Sequence, residues 1–215
     1  MGRKVYIIDD EREVRLSMGF LLRTAGVETR PFGSGDDFLE ALADLEPGCL
    51  LLDVRMPEVG GLQVLEELAG REIRWPVIVM TGDAEVATVV QAMKLGAFEF
   101  LEKPLKEETL FASLERGFGS LEAEISRHAA RKSAKARISN LSAREIDVLR
   151  GLQGGMPNRT LATCLNLSHR TIEMHRGNMM RKLGADGLPD ALRIAADAGL
   201  QPLVCGPLAG ECQAA

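Results

Sequence analysis

No apolar run in the 215-residue chain comes near the roughly 18 residues needed to span a bilayer, so a membrane-crossing helix is not expected. Met1-Gly2-Arg3-Lys4 leads straight into a strand-like run and not into a signal-peptide core, which makes the cytoplasm the expected compartment. Cysteine is scarce: Cys49, Cys164, Cys205 and Cys212 form no C-x-x-C pair and no metal-like cluster with the three histidines. They are expected to be reduced and structural. Positive charge is short in the first part of the chain. Residues 1–117 carry 13 Lys and Arg against 22 Asp and Glu, whereas residues 118–215 carry 13 against 9. An acidic part followed by a mildly basic one suggests that any polyanionic partner meets the second, although solvated surface alone also produces such asymmetry. The length suits two small domains better than one.

Short apolar, β-branched runs alternate with amphipathic stretches through the first part. Strands are predicted at 4–8, 27–31, 50–54, 77–81 and 98–101, with helices at 14–25, 36–44, 62–69 and 86–95 and a fifth after Pro104. Nearly unbroken apolar strands alternating with helices predict a parallel sheet covered on both faces, an α/β doubly wound fold. In such sheets the ligand site lies beyond the carboxyl ends of the strands. Those ends carry Asp9-Asp10-Glu11, Asp53, Thr81 and Lys103-Pro104.

Clustered carboxylates repel one another unless a cation joins them, and hard oxygen ligands favour Mg²⁺. A bound Mg²⁺ would let Asp53 attack a phosphoryl group and form an aspartyl phosphate. Thr81 and Lys103 would then hold the new phosphoryl oxygens. Taken singly, an acidic residue at a strand end is more often a helix cap or a solvated loop, and Asp10 with Glu13 would also serve as a capping pair. Coincidence is a poor explanation for so many suitable groups at one rim.

Val5-Tyr6-Ile7-Ile8-Asp9-Asp10, Leu52-Asp53-Val54-Arg55-Met56-Pro57 with Gly61, Val79-Met80-Thr81-Gly82 and Glu102-Lys103-Pro104 together resemble the receiver domains of two-component systems over residues 4–115. The resemblance implies a flavodoxin-like five-stranded sheet in which Asp53 accepts phosphate from a sensor histidine kinase. It implies that Asp9 and Asp10 hold Mg²⁺, assisted by Asp53 and the backbone carbonyl of Arg55. It makes Thr81 and Phe100 a switch pair and Lys103-Pro104 a cis peptide. Gly60 departs from the acidic residue of many relatives. Arg55, two residues beyond Asp53, and Asp83, two beyond Thr81, are expected to pair across the pocket mouth.

Gly117-Phe118-Gly119 offers a break, and residues 120–137 then read as an Ala-rich helix ending in Arg131, Lys132, Lys135 and Arg137. The functional reading is a DNA-backbone contact or a signalling helix, but a run of this kind is more often a solvated linker. Ser142 and Glu145 then form a capping box, with Leu141 and Ile146 as hydrophobic staple. A second helix is predicted at 158–165, a turn at 166–168, a third helix from Ser168 as cap to Leu183 with Gly184 ending it, and a fourth before Gly199. Short helices about a tight turn suit an all-α, four-helix helix-turn-helix domain. On the third helix Ile172, His175, Met179 and Leu183 recur at core spacing, while Arg170, Glu173, Arg176, Gly177 and Arg181 share the opposite side. Arginines there suit phosphates, and Glu173 suits a cytosine amino group.

Leu141-Ser142-x-Arg144-Glu145-x-x-Val148-Leu149, Asn158-Arg159-x-Leu161-Ala162 and Leu167-Ser168-x-Arg170-Thr171-Ile172-Glu173-x-His175-x-x-Asn178-x-x-Arg181-Lys182-Leu183 resemble the LuxR-type output domain over residues 139–200. With the receiver in front, the chain resembles NarL/FixJ-type transcriptional response regulators, nearest in pattern to the FixJ branch. The resemblance implies DNA contacts from Arg159, Arg170, Thr171, Glu173, Met174, Arg176, Gly177, Asn178 and Lys182. Of these, Glu173, Met174 and Gly177 face the groove, and Gly177 has no side chain to reach a base.

The expected organisation is a receiver at 1–117, a helical linker at 118–138, the helix-turn-helix at 139–200 and a tail at 201–215 without fixed structure. The expected function is a transcription factor in which phosphorylated Asp53 promotes homodimerisation through a surface including Val90 and Lys94. The dimer binds promoter DNA and acts on RNA polymerase, whereas the resting receiver occludes the DNA-binding helices. Beyond phosphoryl transfer to its own Asp53 and slow self-dephosphorylation, no enzymatic turnover is expected. A phosphatase of the Asp-x-Asp kind is disfavoured, because Arg55 stands where its acid–base residue would be. A phosphorylation-independent DNA binder with a vestigial receiver remains the alternative.

Overall fold

Each of the three central strands sends its side chains alternately to two apolar clusters, and this alternation dictates the layering. In the computed structural model, which describes residues 2–82 and 86–203, these are β1 (Lys4–Ile8), β3 (Cys49–Asp53) and β4 (Val77–Thr81). Tyr6, Ile8, Leu50, Leu52, Val77 and Val79 enter one cluster, and Val5, Ile7, Cys49, Leu51, Ile78 and Met80 the other. With β2 (Glu28–Phe32) and β5 (Glu99–Glu102) they form a parallel sheet of order β2-β1-β3-β4-β5.

The first cluster is closed by α2 (Gly35–Ala41), α3 (Gly61–Gly70) and α4 (Val86–Lys94), through Phe38, Val64, Leu65, Leu68 and Ala92. The second is closed by α1 (Arg12–Thr24) and α5 (Glu107–Ile138), through Leu22, Leu110, Leu114 and Phe118. The expected doubly wound α/β fold is therefore present. The chain leaves β1 toward β2 on one side and reaches β3 on the other. A crevice opens at the carboxyl ends of β1 and β3, where such sheets bind their ligands.

The break expected at Gly117–Gly119 is absent, because α5 runs unbroken from Glu107 to Ile138. Gly117 serves close packing instead: an added Cβ would meet Cys49 Sγ at 3.2 Å and Pro76 Cβ at 3.5 Å. The chain divides into two compact units between Ile125 and Ser126, within this helix.

The second unit holds α6 (Ala143–Gln153), α7 (Asn158–Leu165), α8 (His169–Leu183) and α9 (Leu188–Asp197). Leu149, Leu161, Ile172, Met179, Leu183 and Ile194 form its core, joined by Ala134 from the end of α5. Ser142 and Ser168 cap α6 and α8 as expected, and Gly184 ends α8 at φ 58°, the left-handed conformation that glycine adopts without a Cβ penalty. Cys49 is a free buried thiol that burial pushes up to about 12. Cys164 is disulfide-bonded, which corrects the reduced state expected of it; spacing in a sequence carries no information on such pairing. Most of the expected unstructured tail, residues 204–215, lies outside the described residues.

Candidate functional site: an acidic pocket and a recognition helix

β1 ends at Ile8 and β3 at Asp53, so the parallel register of these neighbours brings Asp9 and Asp53 to the same rim. β4 contributes Thr81 and the chain after β5 contributes Lys103. Asp9 is fully buried, with Asp53 at 5% and Thr81 at 2% exposure. Carboxylates at such depth require partners. The Lys103 Nζ lies 2.8 Å from Asp9 Oδ2 and 2.9 Å from Asp53 Oδ1, with Glu11 Oε1 at 3.8 Å. The second oxygen of each carboxylate accepts a backbone hydrogen bond, Asp9 Oδ1 from the Glu11 N–H at 2.9 Å and Asp53 Oδ2 from the Arg55 N–H at 3.1 Å. The Lys103–Pro104 bond is cis, as the receiver resemblance implies.

Burial raises the Asp53 carboxyl above its ordinary range, and Lys103 only partly opposes it. Burial depresses the Lys103 ammonium, but Asp9 and Asp53 outweigh it and hold the group firmly charged. Asp10 and Arg55 are exposed at the mouth, and Phe100 is half-buried. Asp83 lies outside the described residues, and the expected Arg55–Asp83 pair with it. Among the described residues no three Asp, Glu, His or Cys side chains gather closely enough to enclose a metal by themselves. The donors on hand are oxygen only, which suits a hard cation that retains most of its water.

Gly60 and Gly61 shape the loop behind Asp53. The Gly60 N–H donates to Gln63 Oε1 at 2.9 Å, which caps α3. Gly61 lies on the Asp53–Val54 peptide, with its N–H donating to the Val54 carbonyl at 3.1 Å. Neither contact shows in residue spacing.

In the second unit α8 follows α7 across a tight turn whose Asn166 is left-handed at φ 53°. Ile172, Met179 and Leu183 are buried and His175 is half-buried, so the predicted inner face faces inward. Arg170, Glu173, Met174 and Gly177 are exposed, as is Arg159 on α7. Met174 is 54% exposed, and nothing lies within 4 Å of a Cβ placed on Gly177. Other predicted contact residues already have partners. Arg176 Nη1 donates to Asn158 Oδ1 at 3.4 Å, Asn178 accepts from Arg181 at 2.6 Å, and the Thr171 and Ser168 hydroxyls lie 2.7 Å apart.

Lys182 Nζ lies 2.8 Å from the Oε2 of Glu145, itself 3% exposed, and the same oxygen accepts from the Ser142 N–H at 2.7 Å. One carboxylate thus caps α6 and ties it to α8. The capping box was visible in the sequence; this tie was not. Burial by itself pushes the Glu145 carboxyl up, but the hydrogen bonds from Lys182 and Ser142 prevail and hold it below its ordinary 4.5. A lowered carboxylate contributes stability that is present above the unfolded value and lost as pH falls through the folded one. Helical circular dichroism of urea unfolding should therefore show the wild type losing more stability than Glu145→Gln as pH drops from roughly 5 to 3. Equal losses would remove Glu145 from that role.

Residues 5–115 match the family described as response regulator receiver domain, and residues 139–195 match that described as bacterial regulatory proteins, luxR family. The transcriptional regulatory protein FixJ of Azorhizobium caulinodans is 41% identical over 198 residues, covering 92% of this chain and 94% of its own. The response regulator StyR superposes with a TM-score of 0.77 at 31% identity, over 91% of this chain and 99% of that one. Full-length FixJ from B. japonicum superposes with a TM-score of 0.57 at 38% identity, over 92% and 98%. Receiver domains generally bind Mg²⁺ at an acidic pocket of this kind, and the two domains together imply a kinase and DNA as partners. No helix among the described residues is long and apolar enough to cross a membrane. The chain belongs to the response regulators, as a regulator of the transcription-factor type that joins a receiver to a LuxR-type DNA-binding domain.

Proposed function

We propose that Asp53 is the phosphoacceptor and that its phosphorylation by a sensor histidine kinase controls dimerisation and DNA binding. The observation that carries this reading is the Lys103 ammonium held between Asp9 and Asp53 at 2.8 and 2.9 Å, beyond the carboxyl ends of the strands. Asp9, Asp10, Asp53 and the backbone carbonyl of Arg55 would hold Mg²⁺. When bound, the ion would neutralise the carboxylates and the incoming phosphoryl oxygens.

Asp53 presents a desolvated carboxylate as nucleophile, aimed by the Arg55 N–H on its other oxygen. Attack of one Asp53 oxygen on phosphorus forms the O–P bond of an acyl phosphate as the P–N bond of the kinase phosphohistidine breaks and its imidazole leaves with a proton from solvent. Lys103 is then available to bind the new phosphoryl oxygens as a charge-assisted donor. Thr81 supplies a hydroxyl donor from the neighbouring strand. Its displacement toward the phosphoryl group vacates space that Phe100 fills, and the shift propagates to α4 and β5. The exposed Val86, Val90 and Met93 of α4, with Lys94 beside them, form the apolar face on which two phosphorylated copies pair. A dimer sets two α8 helices one or more turns of DNA apart, where Arg159 and Arg170 meet phosphates and Glu173 and Met174 meet base edges. Promoter DNA as ligand places the protein in the cytoplasm, with RNA polymerase as the downstream partner. The receiver then covers 1–117, the linker 118–138 is the distal part of α5, and the DNA-binding domain covers 139–200.

Mass and DNA affinity in solution, measured with and without acetyl phosphate, test this reading. Phosphodonor is expected to convert monomer to dimer and tighten binding to duplexes selected from a randomised pool. Equal affinity in both states would establish the phosphorylation-independent alternative.

A further inference from the structure

Arg15 lies in the first turns of α1 and is half-buried. Its Nη1 donates to the backbone carbonyl of Asp9 at 2.5 Å and to that of Asp10 at 2.8 Å. The guanidinium rests beside Gly33, at the start of the connection to α2, where an added Cβ would meet Nη2 at 3.7 Å and Asp37 Oδ2 at 3.8 Å. The peptide planes on both sides of Asp10 are thereby turned toward one cation. Asp9 is also held through its side chain, by Lys103 and the Glu11 N–H, whereas the Asp10 carboxylate is exposed. The direction in which Asp10 points is therefore set through its main chain.

We propose that Arg15 is the positioning residue of the acidic pocket, its guanidinium gripping the Asp9 and Asp10 carbonyls and so presetting the paired carboxylates for a divalent cation. This inference rests on the reading that the pocket takes such a cation. A guanidinium suits the task because the two N–H bonds of Nη1 are fixed in its plane and so meet the two carbonyls at set angles, whereas the N–H bonds of an ammonium rotate on a flexible stem. Residues that orient metal ligands without touching the metal commonly change affinity by about 10- to 100-fold.

The sign of the effect separates positioning from charge. As a charge alone, Arg15 repels a divalent cation, and its removal would tighten binding. As a grip on the ligand backbone, its removal loosens binding. Free Mn²⁺ measured by electron paramagnetic resonance reads this directly on the full-length chain, with no phosphoryl transfer involved. Arg15→Ala is expected to weaken Mn²⁺ binding about ten-fold, and Arg15→Lys by a smaller factor, because an ammonium can still donate to the carbonyls but without the fixed planar geometry. Unchanged or tighter binding in Arg15→Ala, or wild-type binding in Arg15→Lys, would overturn the proposal. Near-ultraviolet circular dichroism establishes that each variant is folded, and if Arg15→Ala is not, Arg15→Lys alone decides. Asp10→Asn is measured alongside. If it binds Mn²⁺ like the wild type, the cation reading fails and not merely the role of Arg15.

Discussion

Asp53→Asn is expected to abolish labelling by acetyl phosphate and, with it, the phosphodonor-dependent gain in mass and DNA affinity. A carboxamide oxygen is too weak a nucleophile to displace the donor, and among the described residues no other carboxylate occupies the end of β3. Loss of labelling must be distinguished from loss of fold, and the electrostatics of the pocket make that possible. An acid whose folded value is raised costs stability once pH exceeds its unfolded value, because the buried site disfavours the charge. Asn keeps the shape without the charge, and Lys103 retains Asp9 at 2.8 Å. The variant should therefore be at least as stable as the wild type near neutral pH, even though it is inert to the phosphodonor. Urea unfolding followed through Trp75, the one tryptophan, reports on the receiver alone. A variant that is unlabelled but also unfolded would leave the loss to misfolding, and full labelling would remove Asp53 as acceptor.

The rim of the sheet was legible in the sequence because its parts are side chains at strand ends. Nearly unbroken apolar runs alternating with amphipathic stretches locate β1, β3, β4 and β5, and whatever follows each strand must then lie on one edge. That logic recovers Asp9, Asp53, Thr81 and Lys103 without a structure. It fails for Arg15, whose partners are main-chain carbonyls, because no residue type signals an acceptor that every residue carries. It also fails for Lys182. Its tie to Glu145 spans 37 positions, and helix periodicity says only that Lys182 lies near the end of α8. Gly117 misled in the opposite direction. Its local preference is for a break, whereas its packing against Cys49 and Pro76 keeps it in a continuous α5. Tertiary contact decides there, and it is invisible in a window of neighbours.

Gly61 presents the same kind of hidden contact, and its replacement is expected to have the largest structural effect in the receiver. An added Cβ would fall on the carbonyl oxygen of Asp53, with Val54 Cα at 3.0 Å and the Asp53 carbonyl carbon at 3.1 Å. All three are backbone atoms, so no side chain can rotate to make room. Either α3 lifts away, breaking the Gly61 N–H bond to the Val54 carbonyl, or the end of β3 moves with the phosphoacceptor on it. Gly61→Ala is therefore expected to destabilise the receiver by about 2–3 kcal/mol in urea unfolding followed through Trp75. Misplacement of a reacting group by an ångström costs up to about 100-fold in rate, so labelling of Asp53 should slow on the order of 10- to 100-fold in whatever fraction remains folded. Gly119→Ala is the matched control. It lies inside α5 with nothing within 4 Å of an added Cβ, and it should stabilise by about 0.5–1 kcal/mol through helix propensity alone. If both substitutions are neutral, Gly61 stands where it does for some reason other than the approach of α3 to the phosphoacceptor strand.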